Sequence, residues 1–118
     1  MIIRGEVVRG LSLGRKLGFP TANVAIEEKL PVENGVYLSR ILIQGIAYKA
    51  ISNVGFKPTI GNYARGVESH LLDFEGDIYG QMVEIELIEK LRDEMHFENL
   101  EALQRQVKLD ILKAKNLK

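Results

Sequence analysis

The chain has 118 residues, the size of a single domain with a modest core. Its 16 basic and 16 acidic residues cancel, so no overall field draws in polyanions and no nucleic-acid partner is expected. The absence of cysteine excludes disulfides, thiolate zinc sites and cysteine nucleophiles, and it fits a cytoplasmic location.

In chain order, residues 2–8 read as a first strand. Residues 9–23 are glycine-rich, and Gly14-Arg15-Lys16-Leu17-Gly18-Phe19-Pro20-Thr21-Ala22-Asn23 is the most informative run of the chain. Residues 24–34 read as irregular, with Pro31 stopping any helix. Residues 35–43 form a strand, Gln44-Gly45 a two-residue turn, and residues 46–54 pair back as a hairpin. Residues 55–66, with three glycines and Pro58, read as loop. Residues 67–74 are strand, Glu75-Gly76-Asp77 a turn, and residues 81–91 the clearest strand, with Val83, Ile85 and Leu87 inward and Glu84 and Glu86 outward. The period then becomes helical over Leu100, Leu103, Val107, Ile111 and Ala114, with Asn99 as N-cap and Lys113, Lys115 and Lys118 near the C-terminal end. The expectation is a small closed or partly closed antiparallel barrel with one C-terminal helix over a flank or an end. No apolar run is long enough to span a bilayer, and the start Met-Ile-Ile-Arg-Gly-Glu has neither the basic region nor the long apolar region of a signal peptide, so no membrane partner is expected.

Several residues suit phosphate chemistry. The glycines and cations of residues 10–18 suit a flap over phosphates, and equally a solvated surface loop. No Gly-Lys-Ser/Thr follows, so this is not a Walker A loop. Thr21 and Asn23 offer two oxygen donors to a hard cation such as magnesium, or else bond local backbone in a turn. Glu68 shares a strand face with His70, Leu72 and Phe74, an unusual setting for a solvated carboxylate. It reads as a general base or as a rim residue paired with a cation. His70 and His96 lack metal-ligand spacing and read as structural. Arg92 and Glu94 lie in the connection before the helix, where charged residues either gate a pocket or face solvent.

Together these segments resemble the riboflavin kinase family. The matching pieces are Gly5-Glu6-Val7-Val8-Arg9-Gly10, the run from Gly14 to Asn23, Gly35-Val36-Tyr37, Asn53-Val54-Gly55 with Pro58-Thr59, Glu68-Ser69-His70-Leu71-Leu72-Asp73-Phe74, Tyr79-Gly80, and Leu91-Arg92-Asp93-Glu94 with Phe97. They follow the family's order over nearly the whole chain, which reads as one kinase domain over residues 1–118. The resemblance is to the kinase module of bacterial bifunctional FAD synthetases. It implies a six-stranded Greek-key barrel with a C-terminal helix, and transfer of the ATP γ-phosphoryl group to the 5′-hydroxyl of riboflavin, giving FMN and ADP. It further implies Glu68 as base, and Thr21 and Asn23 on magnesium and the ATP phosphates. Gly10 and Arg15 would belong to the phosphate flap, and Leu71, Asp73, Tyr79, Arg92 and Phe97 would lie near the flavin. The family's bifunctional members carry an N-terminal FMN adenylyltransferase domain with a His-x-Gly-His motif. That motif is missing from these residues, so FMN adenylylation is not expected of this chain, while native fusion to such a domain is the partner the resemblance implies.

Two other readings compete. A non-enzymatic flavin carrier would not need Thr21, Asn23 and Glu68 together. An oligonucleotide-binding barrel would want a basic groove with more aromatic side chains than four Phe and four Tyr.

Overall fold

The computed structural model describes residues 1–8, 21–59, 62–72, 78–95 and 97–116. Its elements are β1 (Ile2–Glu6), β2 (Thr21–Ala25), β3 (Gly35–Ile43), β4 (Ile46–Thr59), β5 (Asn62–Leu71), β6 (Met82–Arg92) and α1 (Leu100–Asn116). Turn chemistry sets the centre of the fold. Gln44 and Gly45 both have positive φ, 50° and 82°, the pattern of a type I′ turn, whose twist matches that of the flanking strands. The turn closes on the pair Ile43–Ile46, and the β3–β4 register runs from there to Gly35–Val54.

All pairings are antiparallel, in the order β1-β6-β3-β4-β5-β2. Strands β3, β4 and β5 form a meander, and β6 returns to lie beside β3, which is the Greek key. The two outer strands approach each other at a seam, where the Val8 amide donates to the Asn23 carbonyl at 2.7 Å. Gly5 makes the approach possible, because a Cβ there would occupy the place of the Val24 side chain. The sheet thus curls into a nearly closed barrel. Ile3, Val7, Val24, Ile41, Val54, Val67, Leu71, Val83 and Ile85 fill its interior.

Two polar features sit inside this apolar shell. Ser39, Ser52 and Ser69, all fully buried, form a hydroxyl chain with Oγ–Oγ distances of 2.6 and 2.6 Å. Each hydroxyl has one proton, and Ser39 donates its own to the Ala50 carbonyl. The chain therefore runs in one direction, Ser69 to Ser52 to Ser39. Arg65, also buried, donates to Asn34 Oδ1 and to the carbonyls of Glu28, Leu30 and Val32. Its guanidinium holds the irregular segment between β2 and β3 to the end of the barrel.

Helix α1 starts as its sequence dictates, with Asn99 Oδ1 accepting from the Ala102 amide at 2.9 Å. It lays Val107, Ile111 and Ala114 toward the sheet, and Ala114 and Ile111 pack on the outer face against Val36, Leu38, Ile51, Leu91 and Leu72. Burying an aliphatic side chain of this size stabilises by ~1.5–3 kcal/mol, so this patch is what holds the helix down. A register shift between Val36 and Tyr37 leaves an extra residue in β6, so Leu91 and Arg92 both meet α1. Among the described residues no helix is long and apolar enough to cross a membrane.

The structure corrects two expectations. Residues 55–59 and 62–66 are not loop but the far half of the β4–β5 hairpin, with Gly55 opposite Gly66 and Pro58 opposite Tyr63. Backbone pairing needs no side chain, so glycine there did not break the ladder. Thr21 to Ala25 is strand, which decides against a turn at Thr21–Asn23, and Val24 and Ala25 belong to it rather than to the irregular stretch expected over residues 24–34. The expected turn at Glu75-Gly76-Asp77 lies outside the described residues.

Candidate active site

Directly opposite residues in an antiparallel ladder project to the same side of the sheet. One row therefore crosses the outer face. Arg92 lies opposite Val36, Val36 opposite Asn53, Asn53 opposite Glu68, Glu68 opposite Asn23, and Asn23 opposite Val8 at the seam. The neighbouring row on the same face holds Leu38, Ile51, His70 and Thr21. Residues between them, Ala22, Val24, Val67 and Ser69, point into the barrel and are buried.

This face changes character along its length. Val36, Leu38 and Ile51 are covered by α1, whereas Asn53, Glu68, His70, Asn23 and Thr21 remain partly open. Oxygen-bearing side chains and His70 thus make up the open part of the face, beside the edge of α1. The Glu68 and His70 side chains are 15% and 16% exposed, and His70 Nε2 lies 3.3 Å from Glu68 Oε1. Thr21, Asn23 and Glu68 form an oxygen-only donor set, the class preferred by hard cations. Among the described residues there is no group of three or more His, Cys, Asp and Glu side chains fit to hold a metal. A hydroxyl, an amide oxygen and a carboxylate suit a hard cation that takes one or two protein ligands and completes its shell with water and phosphate oxygens.

Where the row reaches β6, Arg92 is held in a two-pronged bond to Asp110 of α1, Nε to Oδ1 at 3.0 Å and Nη2 to Oδ2 at 2.8 Å. Asp110 is buried and also accepts from Gln106, and the Phe97 ring centroid lies 6.0 Å from the Arg92 guanidinium carbon. The pair is a charge-assisted tie between β6 and α1. Lys90 bonds Asp93 at 2.6 Å and Glu33 at 2.9 Å. These bonds keep its ammonium protonated well above the usual lysine range, and the Lys90 bond holds the Asp93 carboxyl below its ordinary value. Glu94 lies against the bare backbone of Gly55, where a Cβ would meet its Cδ at 2.6 Å.

The register thus brings together Thr21, Asn23 and Glu68, with Arg92 at the far end of the Asn23–Glu68 row and Phe97 beside it. Leu71 is fully buried in the barrel interior, on the opposite side of β5 from Glu68. Tyr79 is half exposed on a turn beside the end of β1, where the Gly80 amide donates to the Val7 carbonyl. Gly10, Arg15 and Asp73 lie outside the described residues. Sequence reasoning gave Asn53 no role and His70 a structural one. Asn53 was findable had residues 55–66 been read as hairpin, since that pairing sets Asn53 opposite Glu68.

The family model described as "Flavokinase: Riboflavin kinase" matches residues 1–118. The RNA-binding riboflavin kinase RibR of Bacillus subtilis is 45% identical over 93% of this chain and 48% of its own length. The bifunctional riboflavin kinase/FMN adenylyltransferase of Haemophilus influenzae is 39% identical over 96% of this chain and 37% of its own. The chain therefore spans less than half the length of these curated relatives. Among solved structures, a macrolide-efflux protein from Streptococcus pneumoniae superposes with a TM-score of 0.86 at 32% identity, covering 99% of this chain and 39% of that one. Riboflavin kinase from Trypanosoma brucei superposes with a TM-score of 0.69 at 27% identity, covering 98% and 78%. With its full length matched by the family model, its Greek-key barrel shared with a solved riboflavin kinase, and close relatives of the same family, this chain belongs to the riboflavin kinase family.

Proposed function

We propose that residues 1–118 form a kinase domain that transfers the γ-phosphoryl group of ATP to the 5′-hydroxyl of riboflavin, giving FMN and ADP. The observation that carries this reading is the cross-strand register that sets Thr21, Asn23 and Glu68 together on the open part of one barrel face. Glu68 orients the primary hydroxyl and accepts its proton as the new oxygen–phosphorus bond forms and the bond to ADP breaks. The carboxylate lies on a strand paired on both sides, so its backbone is fixed before substrate arrives. Thr21 and Asn23 would hold a divalent cation, magnesium on the donor chemistry. When bound, such a cation neutralises phosphate charge. The open part of this face is the proposed seat of the flavin, with Arg92, Phe97 and Tyr79 as its proposed polar and aromatic neighbours. Arg92 would act there from its position locked by Asp110. Leu71, Asp73, Gly10 and Arg15 keep their proposed flavin and phosphate roles, for Leu71 through its main chain since its side chain is core. No nucleic-acid partner is proposed, and an FMN adenylyltransferase domain is the proposed fusion partner of the native protein.

The test is conversion of riboflavin with ATP and magnesium, followed by chromatographic separation of the flavins, on wild type and Glu68→Gln. FMN should form with wild type and not when the metal is chelated. Loss of the base should lower the single-turnover rate by ~10²–10⁴-fold. A folded Glu68→Gln protein keeping more than about a tenth of the wild-type rate overturns the base assignment.

A further inference from the structure

The Glu68–His70 contact has no part in the roles above. Residues i and i+2 of a strand share a face but stand too far apart for short side chains to meet. Glutamate and histidine are long enough, and here Nε2 of one reaches Oε1 of the other at 3.3 Å. An ionised carboxylate only accepts, so the contact is a hydrogen bond when Nε2 carries the proton. Both side chains are about 85% shielded, so water does not compete freely for either.

From this geometry we propose that His70 is a positioning residue for Glu68. It holds Oε1, so that Oε2 is the oxygen turned to the substrate hydroxyl. The proposal rests on the reading of Glu68 as base. The physical need is specific to glutamate. Its carboxylate turns about a broad, two-fold terminal torsion, so without a fixed partner either oxygen can swing away from the hydroxyl. His70 is itself well seated. Its backbone pairs with Ile51 on one side and Thr21 on the other, and Ile51 is buried under α1. An imidazole also orients a carboxylate by N–H donation alone. A lysine or arginine at this position would add a permanent charge and weaken the carboxylate as proton acceptor.

The test uses His70→Leu, which fills the space without a donor, His70→Gln, whose amide nitrogen occupies nearly the place of Nε2, and His70→Asn, whose amide stops short of it. Single-turnover rates and riboflavin KM are measured for each, alone and in the Glu68→Gln background. The expected result is a rate about 10-fold or more lower for Leu and Asn, part of the ~10²–10⁴-fold available to general-base catalysis. KM should stay within about twofold, Gln should restore most of the rate, and no further loss should follow in the Glu68→Gln background. If His70→Leu does not fold, the Gln and Asn pair alone decides. Equal rates for Gln and Asn, or a His70 effect of the same size with and without the Glu68 carboxylate, overturn the proposal. A Glu68→Gln protein that remains fast overturns the base reading itself, an outcome the His70 variants alone do not produce.

Discussion

Asn23 and Glu68 face each other across two paired strands, so a single substitution there changes the site and leaves the ladder intact. In Asn23→Ala the backbone bond to Val8 and the pairing with Glu68 persist, because both use main-chain atoms. FMN formation should fall on the order of 100-fold, as when one charge-stabilising group is removed from an active site. The melting temperature should move by no more than a few degrees. A folded Asn23→Ala protein with near-normal turnover would remove Asn23 from the metal and phosphate site. Asp93 gives a residue-scale prediction of another kind. Its folded-state pKa is depressed, chiefly by the Lys90 hydrogen bond, so its contribution to stability is present above the unfolded carboxylate value and lost as pH falls through the folded value. Asp93 is solvent-exposed and Lys90 partly so, so that contribution is small and screened by salt. An NMR titration should show the Asp93 carboxyl titrating below an ordinary aspartate and returning to the ordinary range in Lys90→Met.

At the scale of elements, the local signals that matched the structure are those made within a few residues. The Gln44-Gly45 turn, the alternation in β6 and the Asn99 cap each depend on near neighbours, and each stands as read. Asn99→Ala removes the acceptor for the Ala102 amide and should destabilise the protein by ~1 kcal/mol in urea unfolding. An unchanged midpoint would mean that water serves that amide as well. The misread elements are those whose residue types argue against the pairing they make. Residues 55–59 and 62–66 carry glycine and proline, and local chemistry makes them loop. They continue the β4–β5 ladder outward from Val54 and Val67, where both strands are paired on both sides, and that extension outweighs the weak local preference. Arg65 was equally invisible. Nothing local distinguishes a buried arginine on three carbonyls from a solvated one, because those carbonyls lie more than 30 residues away in the chain.

At the scale of the whole molecule, the barrel has one weak line. Among the described residues β3 is paired on both sides along most of its length and β4 over Ala50–Val54, whereas β1 and β2 meet through the Val8–Asn23 bond. Native-state amide exchange should therefore be faster in β1 and β2 than in the shared amides of β3 and β4. Uniform protection around the barrel would show that the seam is as stable as the ladders. Asn23 lies on this seam, so the site and the weakest junction of the barrel coincide. The sequence alone determined the kind of parts this protein has: strands by alternation, a capped helix by its period, and a run of glycine, cation, Thr and Asn suited to phosphate. Only the tertiary structure decided which of those parts meet. The row Arg92, Val36, Asn53, Glu68, Asn23 draws on five strands, and its register is the sum of four cross-strand pairings, one of which carries two register shifts. A slip of one residue in any pairing would turn the affected side chains to the barrel interior. Local propensity does not carry that register; it is set when both faces of the sheet, the barrel core and the surface under α1, bury their apolar residues together.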